Sequence, residues 1–246
     1  MKVSLTIVVF ILGSLCSASA QSIAVIARDT QPAPYIRLKF QAQINNEPLE
    51  LGKSYYVSGL EDSVSIKTLK FYMADLTFSD AEMALDERSY ATFLIDMEDT
   101  VSLQRSFRTS KEASYNEFSF SLGIDSVTQN SGAKGGELDP TRGMYWSWQS
   151  GYINFKLEGI LNTKVQQPFQ FHVGGYSGNL NALQTNSFEV YPNNKYTLSF
   201  NFMPMLQHCL AQKQFEIMSP QLKAVQLAKL LSENTTCTKV QNLSNE

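Results

Sequence analysis

Tyr35-Ile36-Arg37-Leu38-Lys39-Phe40-Gln41 decides the fold. In an extended chain Ile36, Leu38 and Phe40 fall on one side, and Arg37, Lys39 and Gln41 on the other. A polar/apolar period of two describes a strand with one face buried and one in water. Working outward, Asn45-Asn46 supplies a turn and Leu49-Glu50-Leu51 begins a return strand. The same alternation recurs over Phe118–Leu122, Ile153–Leu157, Phe169–Val173 and Tyr196–Phe200. Less regular runs over Ser65–Phe78 and Ala91–Ile95 also favour strand. Seven or more strands with polar connections predict a mainly β protein, an antiparallel, immunoglobulin-like β-sandwich.

Three segments break that pattern. Asp80–Ser89 is acidic and admits a helical turn over Ala81–Leu85. Asp125–Thr141 is rich in Gly, Ser and Asn without periodicity, which predicts a long functional loop. Near the end, Ser219-Pro220 reads as an N-cap followed by proline at the first helical position. Ala224, Leu227, Ala228 and Leu231 then make one apolar face, predicting a single C-terminal α-helix packed on the sandwich.

The chain has 246 residues, 43% of them hydrophobic and 17% charged, a globular composition. Its 20 basic against 23 acidic residues leave a formal charge of −3, which argues against nucleic acid as the main partner. Met1-Lys2, an apolar run over Thr6–Leu15 and Ala18-Ser19-Ala20 form the three parts of a secretory signal peptide. Bulky Leu15 weakens the rival lipoprotein reading through Cys16. Cleavage after Ala20 removes Lys2, the sole charge in that stretch, and takes −3 to −4. The organisation expected is a signal peptide over 1–20, a lead segment over 21–34, the sandwich with its helix over 35–237, and a tail over 238–246. Such a chain is exported to the periplasm or the cell exterior, with no transmembrane segment after cleavage. In that oxidising setting the two remaining cysteines, Cys209 and Cys237, predict a disulfide, with Cys209 as a soft metal ligand the rival.

The densest aromatic stretch, Gly143–Tyr152, holds both tryptophans. If extended, it projects Trp146 and Trp148 one way and Tyr145 the other. Two indoles on one side make a buried wedge, a stacking platform or a redox-active pair. His172 shares the polar side of its strand with Gln170, and Gly174-Gly175 follows, allowing close backbone approach or a bulge. His208 stands in Met203-Pro204-Met205-Leu206-Gln207-His208-Cys209, whose thioethers, imidazole and thiol suit Cu(I) by softness. No Gly-rich phosphate loop, nucleophile elbow or zinc-type cysteine spacing is present. The acidic clusters Glu61-Asp62 and Asp96–Asp99 read as solvated turns rather than calcium sites. The expectation is a binding protein and not an enzyme.

Leu138–Gly159, with Trp146-Ser147-Trp148 followed by Gly151-Tyr152, resembles the MbnP-like family of exported β-rich proteins. Phe171-His172-Val173-Gly174-Gly175 is similar to the family's Phe-His-x-Gly-Gly element, and Lys70-Phe71-Tyr72 to its Lys-Phe-Tyr strand. The resemblance implies copper binding. It also implies an MbnH-like diheme peroxidase-type partner that oxidises a tryptophan, here Trp146 or Trp148, to kynurenine. Tyr145 and Tyr152 then support electron relay, and His172, with His208 second, is the ligand implied. Copper-binding members carry a further histidine near the first strand, where this chain reads Gln41-Ala42-Gln43. The alternative is a metal-free secreted module that uses the Trp/Tyr patch to recognise a glycan or a protein.

Overall fold

The alternation at Tyr35 is realised as β1 (Tyr35–Ile44), whose even-numbered residues are buried while its odd-numbered ones are exposed or partly so. The computed structural model describes residues 35–241 except 60–61, 81–84, 90–91, 109–114 and 149–150. The expected signal peptide and lead segment lie outside the described residues. After β1 come β2 (Glu47–Pro48), β3 (Ser54–Tyr56), β4 (Ser63–Asp80), β5 (Leu85–Ser89), β6 (Phe93–Asp96), β7 (Gln104–Arg108) and β8 (Glu117–Leu122). A short helix, α1 (Ser126–Asn130), precedes β9 (Tyr145–Trp146), β10 (Gly151–Asn162), β11 (Gln167–Gly174), β12 (Gln184–Glu189) and β13 (Asn194–Asn201). The described chain then runs through α2 (Met203–Ala211), β14 (Glu216–Ile217), α3 (Leu222–Glu233) and β15 (Thr235–Lys239).

These strands make two sheets. One has the order β15-β13-β1-β2, with β7 also on β1; the other runs β12-β8-β4-β10-β11-β14, with β3, β5 and β6 on β4 and β9 on β10. Ile36, Leu38, Phe40 and Phe200 of the first sheet meet Phe71, Phe120, Leu157 and Phe171 of the second in one core. Phe71 and Phe200 touch across it at 4.7 Å between ring centroids. The sandwich-like layering follows from the period of two, because each sheet has one apolar face to cover.

The strands are not antiparallel throughout, as an immunoglobulin-like sandwich requires. β1 pairs parallel with β13 from Ile36↔Asn194 to Gln43↔Asn201, and β11 pairs parallel with β14. Alternation specifies which face is buried but carries no strand direction, and a parallel pair needs only a long crossover to join it. The β1–β2 turn forms at Asn45 and Asn46, with φ of 54° and 63°, left-handed values that asparagine tolerates. The return strand begins at Glu47, two residues before Leu49. β4 joins the irregular Ser65–Phe78 run into one 18-residue strand. Of the expected helical turn, 81–84 lie outside the described residues and Leu85 opens β5.

The expected C-terminal helix is α3, and among the described residues two further α-helices, α1 and α2, accompany it. α3 buries Ala224, Leu227, Ala228 and Leu231 as its spacing predicts, but starts at Leu222 with Gln221 as N-cap, so Ser219-Pro220 lies outside it. The Met203–Cys209 stretch is α2, which sinks Met203, Met205, Leu206, Cys209 and Leu210 into the main core. Asp125–Thr141 is not structureless, because Asp125 caps α1 by accepting from the amides of Val127 and Thr128. Two tight turns, Gly136–Leu138 and Pro140–Arg142, follow. β15 takes in Thr238 and Lys239, two residues assigned to the tail. The expected Cys209–Cys237 disulfide is not formed; both are free thiols. Burial pushes Cys209 up to about 12 and Cys237 up to about 11, which keeps both in the unreactive protonated form at neutral pH. Among the described residues no helix is long and apolar enough to cross a membrane.

Candidate functional site

The second sheet carries a smaller apolar cluster apart from the main core. It is formed by Tyr72, Leu94, Ile124, Leu138, Met144, Trp146, Tyr152 and Ile153, with Tyr145 packed against it. β9 builds its outer layer by pairing back on β10, Trp146 opposite Gly151 and Tyr145 opposite Tyr152. Gln129 of α1 supplies the backbone partners missing there. Its Oε1 accepts from the Tyr152 amide at 2.6 Å and its Nε2 donates to the Tyr152 carbonyl at 3.2 Å. The Tyr152 hydroxyl accepts from the Lys134 amide at 2.8 Å, tying the long connection to the same ring.

Trp146 is buried, whereas Trp148, two residues on, is 66% exposed. The extended run ends at Trp146 and a turn begins at Ser147, yet the indoles still meet, their ring centroids 6.1 Å apart. Behind them Tyr145 and Tyr152 contact edge-on at 4.9 Å, and Tyr152 and Tyr72 at 6.2 Å. Trp146 lies against Gly174, where an added Cβ would stand 2.8 Å from its Cζ3 and 2.8 Å from the Tyr152 carbonyl oxygen. Only glycine fits that approach. A Cβ on Gly175 would collide with the Leu180 carbonyl.

His172 sits two positions before Gly174 in β11. Phe171 and Val173 enter the main core and His172 projects to the other face, opposite Lys156 of β10. It is only 6% exposed. Its Nε2 lies 2.7 Å from Glu158 Oε1, and Lys156 Nζ stands 3.5 Å from the same oxygen. Lys156 also donates to the Gly143 carbonyl at 3.1 Å, so one ammonium links the histidine's acid partner to the tryptophan segment. Burial pushes the His172 imidazole below its ordinary value; the hydrogen bond with Glu158 opposes this and the charge of Lys156 adds to it. Burial alone would raise Glu158, but the hydrogen bond from His172 and the charge of Lys156 outweigh it and hold the carboxyl low.

Among the described residues, three buried side-chain nitrogens lack a hydrogen-bond partner: Trp146 Nε1, Asn154 Nδ2 and His172 Nδ1. All three come from the short stretches that build this site. Unpaired buried polar atoms are uncommon enough to need a reason. A cavity of about 10 Å³, room for one water, is lined by Gln129, Trp146, Gly151, Tyr152, Gly175, Tyr176 and Pro220, and His172 does not reach it.

The structure therefore brings Trp146, Trp148, Tyr145, Tyr152, Gly174 and His172 into one neighbourhood. It does not bring His208 there. That histidine lies in the last turn of α2 with Nε2 3.2 Å from Gln212 Nε2. Met203, Met205 and Cys209 are sealed in the main core, so the thioether–imidazole–thiol group does not converge. Gln129, Lys156 and Glu158 are the site residues the sequence did not single out. Lys156 and Glu158 occupy the polar positions of the Ile153–Leu157 alternation and its continuation, and only the β10–β11 register reveals that they flank His172. The Asp96–Asp99 turn is internally capped, with Asp96 accepting from the Glu98 amide and Asp99 from the Val101 amide, and Lys70 pairs with Asp96 at 2.8 Å.

Residues 33–226 match the MbnP family. The chain belongs to that family. Its match takes in Trp146, Trp148, His172 and His208 and stops within α3, short of Cys237. Among solved structures, MbnP from Methylosinus trichosporium is similar with a TM-score of 0.54 and 13% identity, covering 72% of this chain and 78% of that one. At that identity the likeness to MbnP is one of fold. A comparison with curated protein sequences finds no match.

Proposed function

We propose that this MbnP-family chain is an exported copper-handling protein, not an enzyme, whose tryptophan pair is oxidised by a diheme peroxidase-type partner. The observation that carries the proposal is the tilted ring contact of exposed Trp148 with buried Trp146, which lies against Gly174, two positions along β11 from His172. Export to the periplasm or the cell exterior rests on the first twenty residues. Indole gives up an electron readily, and Trp148 offers a docked oxidant van der Waals access that Trp146 lacks. Trp146 is the residue we assign as the one converted, because its product would be held against Gly174. Conversion to kynurenine cleaves the C2–C3 bond of the pyrrole ring. Two equivalents of peroxide supply two oxygens and leave as two waters, and hydrolysis of the formylated product releases formate. The opened ring presents an aniline nitrogen and a ketone oxygen.

The side chains as they stand do not fit a copper ion. His172 offers one unpaired nitrogen, and among the described residues no three His, Cys, Asp or Glu side chains converge as ligands. The copper half of the proposal therefore depends on donors created by ring opening near His172, nitrogen chemistry that copper accepts. Intact-mass and peptide mass spectrometry of protein from its own organism, with metal analysis, tests it. The expected result is kynurenine at residue 146, and copper retention lost in Trp146→Phe and His172→Ala. Unmodified indoles at both positions would reject the oxidation half.

The exposure of Trp148 favours one second reading, a metal-free recognition module. With Trp146 and Tyr152 buried and Tyr145 half-buried, the platform reduces to Trp148 alone. Copper titration of the oxidised protein separates the two readings: affinity equal to that of His172→Ala favours the module.

A further inference from the structure

The solvent face of the first sheet carries a basic groove that the tryptophan site does not use. It has a volume of about 280 Å³, and Arg37, Lys39 and Lys195 line it together with Gln104 and Ser106. The register explains the gathering. Arg37 of β1 stands between Lys195 of β13 and Ser106 of β7, and Lys39 is opposite Gln104. Cross-strand partners share a face, so these side chains leave the sheet from positions about 5 Å apart across the strands and about 7 Å apart along β1. Among the described residues no carboxylate lines the groove and none pairs with Arg37, Lys39 or Lys195, although the chain has more acids than bases. Elsewhere Lys53, Lys70, Lys156 and Lys229 all have an acidic partner. The Arg37 guanidinium is held over the Tyr35 ring at 4.4 Å, which leaves its planar donor fork preorganised.

We propose that this groove binds a small multiply charged anion bearing carboxylate or phosphate groups, which its unpaired cations and neutral donors match in charge and chemistry. Arg37 would take one group through two parallel hydrogen bonds, Lys195 and Lys39 would take the others as point charges, and Gln104 and Ser106 supply neutral donors. The site stands apart from the copper and tryptophan proposal and survives its failure. Calorimetric titration of citrate and, separately, pyrophosphate into the full-length protein at low ionic strength tests it. Saturable binding of at least one anion is expected, weakened about tenfold by Arg37→Gln and by Lys195→Gln, and unchanged by Lys164→Gln on an exposed turn away from the groove. Preference for citrate identifies a carboxylate ligand, and preference for pyrophosphate a phosphate one. Amide NMR shifts of the wild-type protein give a second readout, expected along β1 and β13. Absence of binding by both anions, shifts confined to other strands, or equal weakening by Lys164→Gln overturns the proposal.

Discussion

Glu158 Oε1 accepts from His172 Nε2 at 2.7 Å while Lys156 approaches the same oxygen, so protonation here changes three side chains together. Burial lowers the folded-state pKa of His172, so as pH falls through the ordinary histidine range, about 6.5, the unfolded chain takes up a proton before the folded one does. Stability is therefore lost on acidification through that window. The Glu158 carboxyl is also held low, and its contribution persists until pH falls through its folded value, further into acid. Thermal melts between about pH 7.5 and 5.5 should show a decline that His172→Gln flattens, with the more acid limb retained. Equal slopes in the two proteins would assign the decline elsewhere. Gly174 gives a second test at the same scale. Gly174→Ala places a methyl 2.8 Å from Trp146 Cζ3 and from the Tyr152 carbonyl oxygen, so one of them must move. Denaturant unfolding should show a loss of about 1–3 kcal/mol, with red-shifted tryptophan emission as Trp146 is displaced. An unshifted spectrum and unchanged midpoint would show that the sheet yields instead.

α1 acts at the next scale because its one buried residue, Gln129, serves as a pairing surrogate for β10. That side chain bonds both the amide and the carbonyl of Tyr152, so Gln129→Ala leaves these two buried backbone groups without it. A loss of about 1–3 kcal/mol in denaturant titration is expected, with faster hydrogen exchange at the Tyr152 amide. Unaltered exchange would mean that water replaces the side chain without cost. Elements of this kind were hidden in the sequence, whereas strands were legible. Ile36, Leu38 and Phe40 announce β1 because burial follows side-chain parity, but nothing in that parity names β13 as its parallel partner 158 positions away. α2 was obscured because Met203 and Met205 satisfy a period of two while Leu206, Cys209 and Leu210 continue at helical spacing. The soft donors Met203, Met205 and Cys209 of that stretch pack into the main core. The parity of Trp146 and Trp148 misleads for a related reason: the turn at Ser147 ends the strand, so one indole is buried and the other exposed.

At the scale of the molecule, the two apolar clusters are unequal. The larger joins both sheets with α2 and α3, while the smaller has, among the described residues, eight side chains on one sheet and is capped by the segment that carries both tryptophans. A layer with few buried contacts is the part expected to open below the global unfolding free energy. Both fluorophores of the indole type sit in or on that layer, so tryptophan emission reports it, whereas far-UV circular dichroism reports the strands of both sheets. The two probes should then disagree: the fluorescence midpoint should fall at lower denaturant than the dichroism midpoint. Amides over 144–148 should also exchange faster than those at the centre of β4 and β10. Such an opening would let an oxidising partner approach Trp146 directly, and kynurenine formation would then survive Trp148→Phe. Coincident transitions would mean that the outer layer is locked into the global unit. In that case Trp148, through its tilted 6.1 Å ring contact with Trp146, is the route left for the electron, and Trp148→Phe should abolish modification at residue 146.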